Sequence, residues 1–97
     1  MAQVIAATWR AQAGAEARIV RILEEMARLS RQEPGCLLYQ PHRSVDDARV
    51  FFLYEQYVDD GALQAHSTSE YFHRLVLGEA LPLLESRDRQ IYQTLDL

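Results

Sequence analysis

The segment Val50–Val58, VFFLYEQYV, does most to restrict what this chain can fold into. A β-strand turns successive side chains to opposite faces, so Val50, Phe52 and Tyr54 share one face while Phe51, Leu53 and Tyr57 share the other. Both faces are apolar, and both need cover. A chain of 97 residues buries a smaller fraction of its surface than a larger domain does, and its helices can cover only one face. A second copy packed sheet against sheet is the expected cover for the other.

The rest of the chain supplies the elements around that strand. Residues 3 to 10, QVIAATWR, form a first strand ending at the AQAG turn. From Ala15 to Gln32 the positions Ala15, Ile19, Ile22, Leu23, Met26 and Leu29 repeat at helical spacing, with arginines and glutamates filling the solvent side. Pro34-Gly35 ends that helix: proline cannot continue it, and glycine accepts turn dihedrals. Cys36–Arg43 and Arg49–Val58 flank the polar turn Ser44-Val45-Asp46-Asp47-Ala48 as a hairpin. Pairing Ser44 with Arg49 sets Tyr39 opposite Tyr54 and Leu38 opposite Glu55, and a one-residue slip exchanges the faces. Asp59 or Asp60 caps a short helix, GALQAH. Ser67-Thr68-Ser69-Glu70 matches a capping box for the next helix, whose apolar side is Tyr71, Phe72, Leu75 and Val76. Gly78 and Pro82 limit its length, and Arg87–Leu95 alternates as a last strand.

The order β-α-β-β-α-β, with an extra helical turn in the second crossover, describes an α+β, ferredoxin-like fold: a four-stranded antiparallel sheet with the long helices on one face. One domain over residues 1–97 is expected.

Composition excludes several functions. The net charge is −4 and the pI near 5.2, with no basic run, which argues against nucleic acid or an anionic membrane as partner. All ten Lys+Arg residues are arginine, and asparagine is absent, so a Schiff-base lysine and Asn-dependent sites drop out. The single cysteine, Cys36, makes no internal disulfide and fits a reducing cytoplasm. No apolar run approaches the ~20 residues of a membrane span. No HxxxH, HExxH or paired Cys/His spacing suggests a metal.

The stretch from Glu33 to Phe72 concentrates the candidate chemistry. His66 follows Ala62 and Leu63 by four and three residues, so it shares their apolar helix face and points toward the sheet. There it can act as a general base or simply bond a strand carbonyl. Glu55 sits in an apolar strand and needs a partner or a raised pKa; it can orient His66, take a substrate proton, or pair with an arginine at a subunit interface. Tyr39, Tyr54, Tyr71, Phe72 and Trp9 can line a flat pocket for an aromatic ligand or serve as core. His42 and His73 are expected at the surface. Cys36 lacks a nearby base and reads as strand packing. Arg43 and Arg49 flank the hairpin turn, where they can attract an anion or remain solvated.

The EPGC start, the YE-x-Y strand and the D-x-x-A-L-x-A-H segment, followed by a polar cap and an aromatic pair, resemble the antibiotic biosynthesis monooxygenase family over nearly the whole chain. The resemblance implies a dimeric α/β barrel with a pocket between sheet and helices in each subunit. It also places His66 at the family's histidine position. By resemblance the function is a cofactor-independent monooxygenase that oxidises a small aromatic quinol or phenol with dioxygen, with no metal or other cofactor; the reading of the residues adds Glu55 to His66 as catalytic and Trp9, Tyr39, Tyr54, Tyr71 and Phe72 as substrate-binding. The rivals on the same scaffold are a small-molecule isomerase and a non-catalytic ligand-binding dimer. Haem degradation fits poorly, because relatives that degrade haem use an asparagine and a tryptophan, and here Trp9 is on the first strand and asparagine is missing.

Overall fold

The computed structural model describes residues 1–97. Its elements are β1 (Gln3–Ala11), α1 (Glu16–Ser30), β2 (Cys36–Arg43), β3 (Val50–Tyr57), α2 (Asp60–Ser67), α3 (Glu70–Phe72) and β4 (Leu84–Gln93). Between α3 and β4 the helix continues as a widened π-type stretch, His73–Ala80, and closes with a 3₁₀ turn, Leu81–Leu83. The strand order is β2-β3-β1-β4, with every neighbouring pair antiparallel. This is the ferredoxin-like arrangement expected from the sequence.

The two faces of β3 divide as its parity requires. Phe51, Leu53, Glu55 and Tyr57 are buried, while Phe52 is 39% exposed on the other side. The hairpin register differs from the expected one by one residue: Tyr39 pairs with Glu55 and Gln40 with Tyr54. Side-chain bonds in the turn cause the slip. The Ser44 hydroxyl accepts from Asp46 N and Asp47 N, Asp47 Oδ1 accepts from Arg49 N, and the ladder closes on Ser44 N to Val50 O rather than at Arg49. Farther along, Cys36 pairs with Tyr57, so the register shifts across Leu37 as at a β-bulge. The slip carries Tyr39 to the helix side, where it is 1% exposed.

Ile5, Ala7, Trp9 and Ala11 of β1 join that side and pack with Ile19, Ile22, Leu23 and Met26 of α1, Leu63 of α2 and Leu75 and Val76 of the widened helix. The α2 cap falls on one of its two expected residues, and three other boundaries move. Asp59 caps α2, accepting from Ala62 N at 2.8 Å. Ser69, not Ser67, caps α3: its hydroxyl accepts from Phe72 N and donates to His66 O, while Ser67 is the last residue of α2. Gly78 lies inside the widened helix and does not end it, and β4 begins at Leu84, three residues earlier than expected. Gly35 is required for closeness rather than for its dihedrals, since Gly14 is the one glycine with positive φ. A β-carbon on Gly35 would lie 2.4 Å from Ala62 Cβ.

The opposite sheet face carries Leu38, Phe52 and Tyr92, which are exposed, and the half-buried Tyr54. No helix of the chain covers it. No helix is long and apolar enough to cross a membrane.

Candidate functional site

His66 occupies the last turn of α2 on the face shared with Leu63, and the residue is 2% exposed. The Asp59 cap fixes where α2 starts, and the Gly35–Ala62 approach fixes how closely it lies against the α1–β2 connection. Together they hold the imidazole over the sheet, as its spacing requires.

A carboxylate stands at each end of the ring. His66 Nδ1 lies 3.0 Å from Glu33 Oε2, and Nε2 lies 3.6 Å from Glu55 Oε1. The first is a hydrogen bond; the second is too long for one and becomes an ion pair only when the imidazole is protonated. An ionised carboxylate only accepts, so the Glu33 contact puts a proton on Nδ1 and leaves Nε2 as the free basic nitrogen. Each acid has its own tyrosine. The Tyr71 hydroxyl donates to Glu33 Oε2, and the Tyr57 hydroxyl donates to Glu55 Oε1 at 2.6 Å. Tyr71 also lies 3.4 Å from the buried Ser30 hydroxyl.

Burial holds the Glu55 carboxyl above its ordinary range, with the Tyr57 hydrogen bond and the His66 charge pulling it partly back. Burial likewise raises the Tyr39 and Tyr57 phenols, and Glu55 adds to both. Neither phenol ionises near neutrality. They are hydrogen-bonding walls rather than bases.

Four aromatic rings enclose the imidazole: Tyr57 at 4.9 Å between centroids, Phe72 at 5.3 Å and edge-on, Tyr39 at 5.9 Å and Tyr71 at 6.1 Å. A cavity of about 20 Å³ opens beside it, lined by Trp9, Tyr39, Glu55, His66, Phe72 and Val76 among others. That is room for one water molecule. A larger open groove of about 410 Å³ between α1 and β2, floored by Leu23, Ala27 and Phe51, includes neither His66 nor Glu55.

Of the residues singled out in the sequence, His66, Glu55, Tyr39, Trp9 and Phe72 meet at the cavity, while Tyr71 lies behind the imidazole, bonded to Glu33 and with its hydroxyl 3.4 Å from His66 Nδ1. Tyr54 does not join them. It projects from the open sheet face, where its hydroxyl accepts from Gln56 Nε2 at 3.0 Å. His42 and His73 are exposed, each bonded to a backbone carbonyl. Burial pushes the Cys36 thiol up to about 11, so it stays a thiol. Arg43 lies over the Phe51 ring and Arg49 pairs with Glu85, which accounts for both turn arginines. No group of three or more His, Cys, Asp or Glu is arranged to hold a metal ion.

Sequence reasoning passed over Glu33 and treated Tyr57 only as apolar surface. Glu33 had a signal: an acid just past the C-terminus of α1 sits against the helix dipole and needs a local partner.

The sequence model of the antibiotic biosynthesis monooxygenase family matches residues 2–76. Among solved structures, a Pseudomonas aeruginosa protein is 31% identical, with 97% of this chain and 94% of that one covered at a TM-score of 0.89. A protein described as an antibiotic biosynthesis monooxygenase is 28% identical, with coverage of 98% and 99% and a TM-score of 0.85. A Mycobacterium tuberculosis protein is 22% identical over 100% and 98% of the chains, with a TM-score of 0.91, which speaks for the fold. No curated protein sequence matches.

Proposed function

The chain belongs to the antibiotic biosynthesis monooxygenase family, and from that premise we propose that it oxidises a small aromatic quinol or phenol with dioxygen, without a metal or flavin, as a homodimer. The observation that carries this reading is the buried His66, with Nδ1 committed to Glu33 and Nε2 turned toward Glu55 beside an aromatic-lined cavity.

In this mechanism the substrate hydroxyl meets Nε2 and gives up its proton, and Glu33 stabilises the imidazolium that forms. The electron-rich ring then supplies electrons to dioxygen. One oxygen atom bonds to the ring carbon, the O–O bond breaks, and the other leaves as water, so that a quinol and O₂ become a hydroxyquinone and H₂O. Glu55 provides a second proton acceptor next to Nε2. The enclosing rings exclude water from the anion.

The closed cavity must enlarge to admit a ring, since benzene occupies an engineered cavity of about 150 Å³. Phe72 and Val76 are the side chains that would yield, because both belong to the α3 helix and its widened continuation, and such stretches recur at functional sites. The same small volume favours a second reading, a dimerising module that performs no chemistry. An oxygen electrode decides between them. Uptake above the uncatalysed rate on a quinol panel is expected, falling by about 10²-fold or more in His66→Ala. No uptake with any quinol, or unchanged turnover in that variant, would sink the assignment.

A further inference from the structure

Arg87 and Arg89 stand two residues apart on β4 and therefore project to the same face. Their partners across the ladder are Trp9 and Ala7, both buried on the helix side, so the arginines stand on the side that holds His66 and Glu55. Both line the cavity beside His66.

Neither arginine has a partner. Arg10, Arg28, Arg49 and Arg74 each hold a carboxylate, and Arg31 holds the Tyr39 carbonyl; Arg87 and Arg89 make no hydrogen bond and no ion pair, and unlike Arg18 and Arg21, which are also unpaired on the solvent side of α1, they line the cavity beside His66. Glu55 shares their cavity, but its hydrogen bond goes to Tyr57 and its near contact to His66, and it acts on the arginines through charge alone. Arg87 is also half-buried, and both burial and the neighbouring charge of Arg89 make its cationic form less favourable. Two adjacent guanidinium groups at the wall of an aromatic cavity, neither bonded to a protein acceptor and the second open to solvent, form a site for an oxyanion, which each group can grip through two parallel N–H bonds.

Resting on the function proposed above, we infer that the substrate is a hydroxylated aromatic ring bearing an oxyanion, a carboxylate or a phosphate ester, that Arg87 and Arg89 hold while the ring hydroxyl faces His66 Nε2. The arginines then set specificity and orientation: they fix one end of the ring, which presents the other to the base.

The test is calorimetric titration of the protein at low ionic strength with 2,5-dihydroxybenzoate, 4-hydroxyphenyl phosphate and hydroquinone, under nitrogen so that binding is read apart from oxidation. At least one anionic ring is expected to bind about tenfold or more tightly than hydroquinone, and the tighter of the two acids identifies the oxyanion. Arg89→Gln, at an exposed position that leaves the core intact, should remove most of that preference, and the Arg87→Gln/Arg89→Gln pair should abolish it. Equal affinity for hydroquinone and both acids, no binding of either acid, or full affinity in the double variant overturns the inference. The two readings fail separately. Arginine-dependent binding of an acid that consumes no oxygen rejects the monooxygenase and keeps the subsite, whereas oxidation of hydroquinone alone does the reverse.

Discussion

Glu33, just beyond the end of α1, and His66, in the last turn of α2, are 33 positions apart in sequence and meet at 3.0 Å through Oε2 and Nδ1. Glu33 accepts from Tyr71 as well, so one carboxylate satisfies two polar groups between α1 and the second helical layer. Glu33→Ala removes the carboxylate acceptor of the buried imidazole nitrogen, leaving only the Tyr71 hydroxyl at 3.4 Å, and should cost about 2 kcal/mol in urea denaturation. The neutral imidazole should also lose its preference for the proton on Nδ1, visible in long-range ¹H–¹⁵N spectra. Glu33→Gln keeps an acceptor oxygen and should recover most of the stability. An unchanged tautomer in Glu33→Ala would show that some other group orients the ring.

Glu55 predicts a pH dependence. Burial lifts its folded carboxyl above the unfolded value near 4.5, and His66, Tyr57 and Arg89 offset part of that while Glu33 adds to it. A raised acid favours folding while protonated, so its contribution is complete below about pH 4.5 and is lost as pH climbs through the folded value. Glu55→Gln does not titrate. Its stability relative to the parent should therefore rise with pH from about 4.5 upward, by at most about 1.4 kcal/mol per pH unit for a single group. Parallel urea-denaturation profiles from pH 4 to 8 would show that the carboxyl is not raised in the folded protein.

The architecture was legible because it depends on periodicity and punctuation. The apolar spacing of α1, the Pro34-Gly35 stop and the two-sided strand β3 each leave a local trace. The hairpin register was not legible, because Ser44 and Asp47 side-chain bonds choose the closing pair and β-propensity is indifferent to a one-residue slip. His66 and Glu55 could be named from their residue types on apolar faces. Glu33 left a local trace in its place past the end of α1, but its partners, His66 and Tyr71, come from helices more than thirty residues away. Tyr54 was an avoidable error: strand parity alone puts it and Glu55 on opposite faces, so the two cannot line one pocket.

Gly35 governs the site through distance. A methyl group there would lie 2.4 Å from Ala62 Cβ and 3.3 Å from Val58 Cγ1, which forces α2 outward and takes His66 with it. Gly35→Ala should cost about 1–3 kcal/mol, as overpacked contacts do, and should broaden the Nδ1–H signal of His66. Adding Ala62→Gly makes room and should restore the signal, with about 1 kcal/mol still lost to glycine in a helix. A Gly35→Ala variant as stable as the parent would mean that the backbone relaxes without moving α2.

The proposed homodimer follows from the face that the helices leave open. Leu38 and Phe52 are more than a third exposed and Tyr92 more than half, and all three belong to the same side of the sheet by register. Apolar groups on a flat strand surface are the kind of patch that a second sheet covers, and a stable interface buries about 800 Å² per partner. Sedimentation at micromolar concentration should give twice the chain mass of 11.2 kDa. Phe52→Asp places a charge on that face without touching the helix-side core, so it should yield a folded monomer with unchanged circular dichroism. A monomeric parent, or a Phe52→Asp variant that still sediments as a dimer, would move the interface elsewhere.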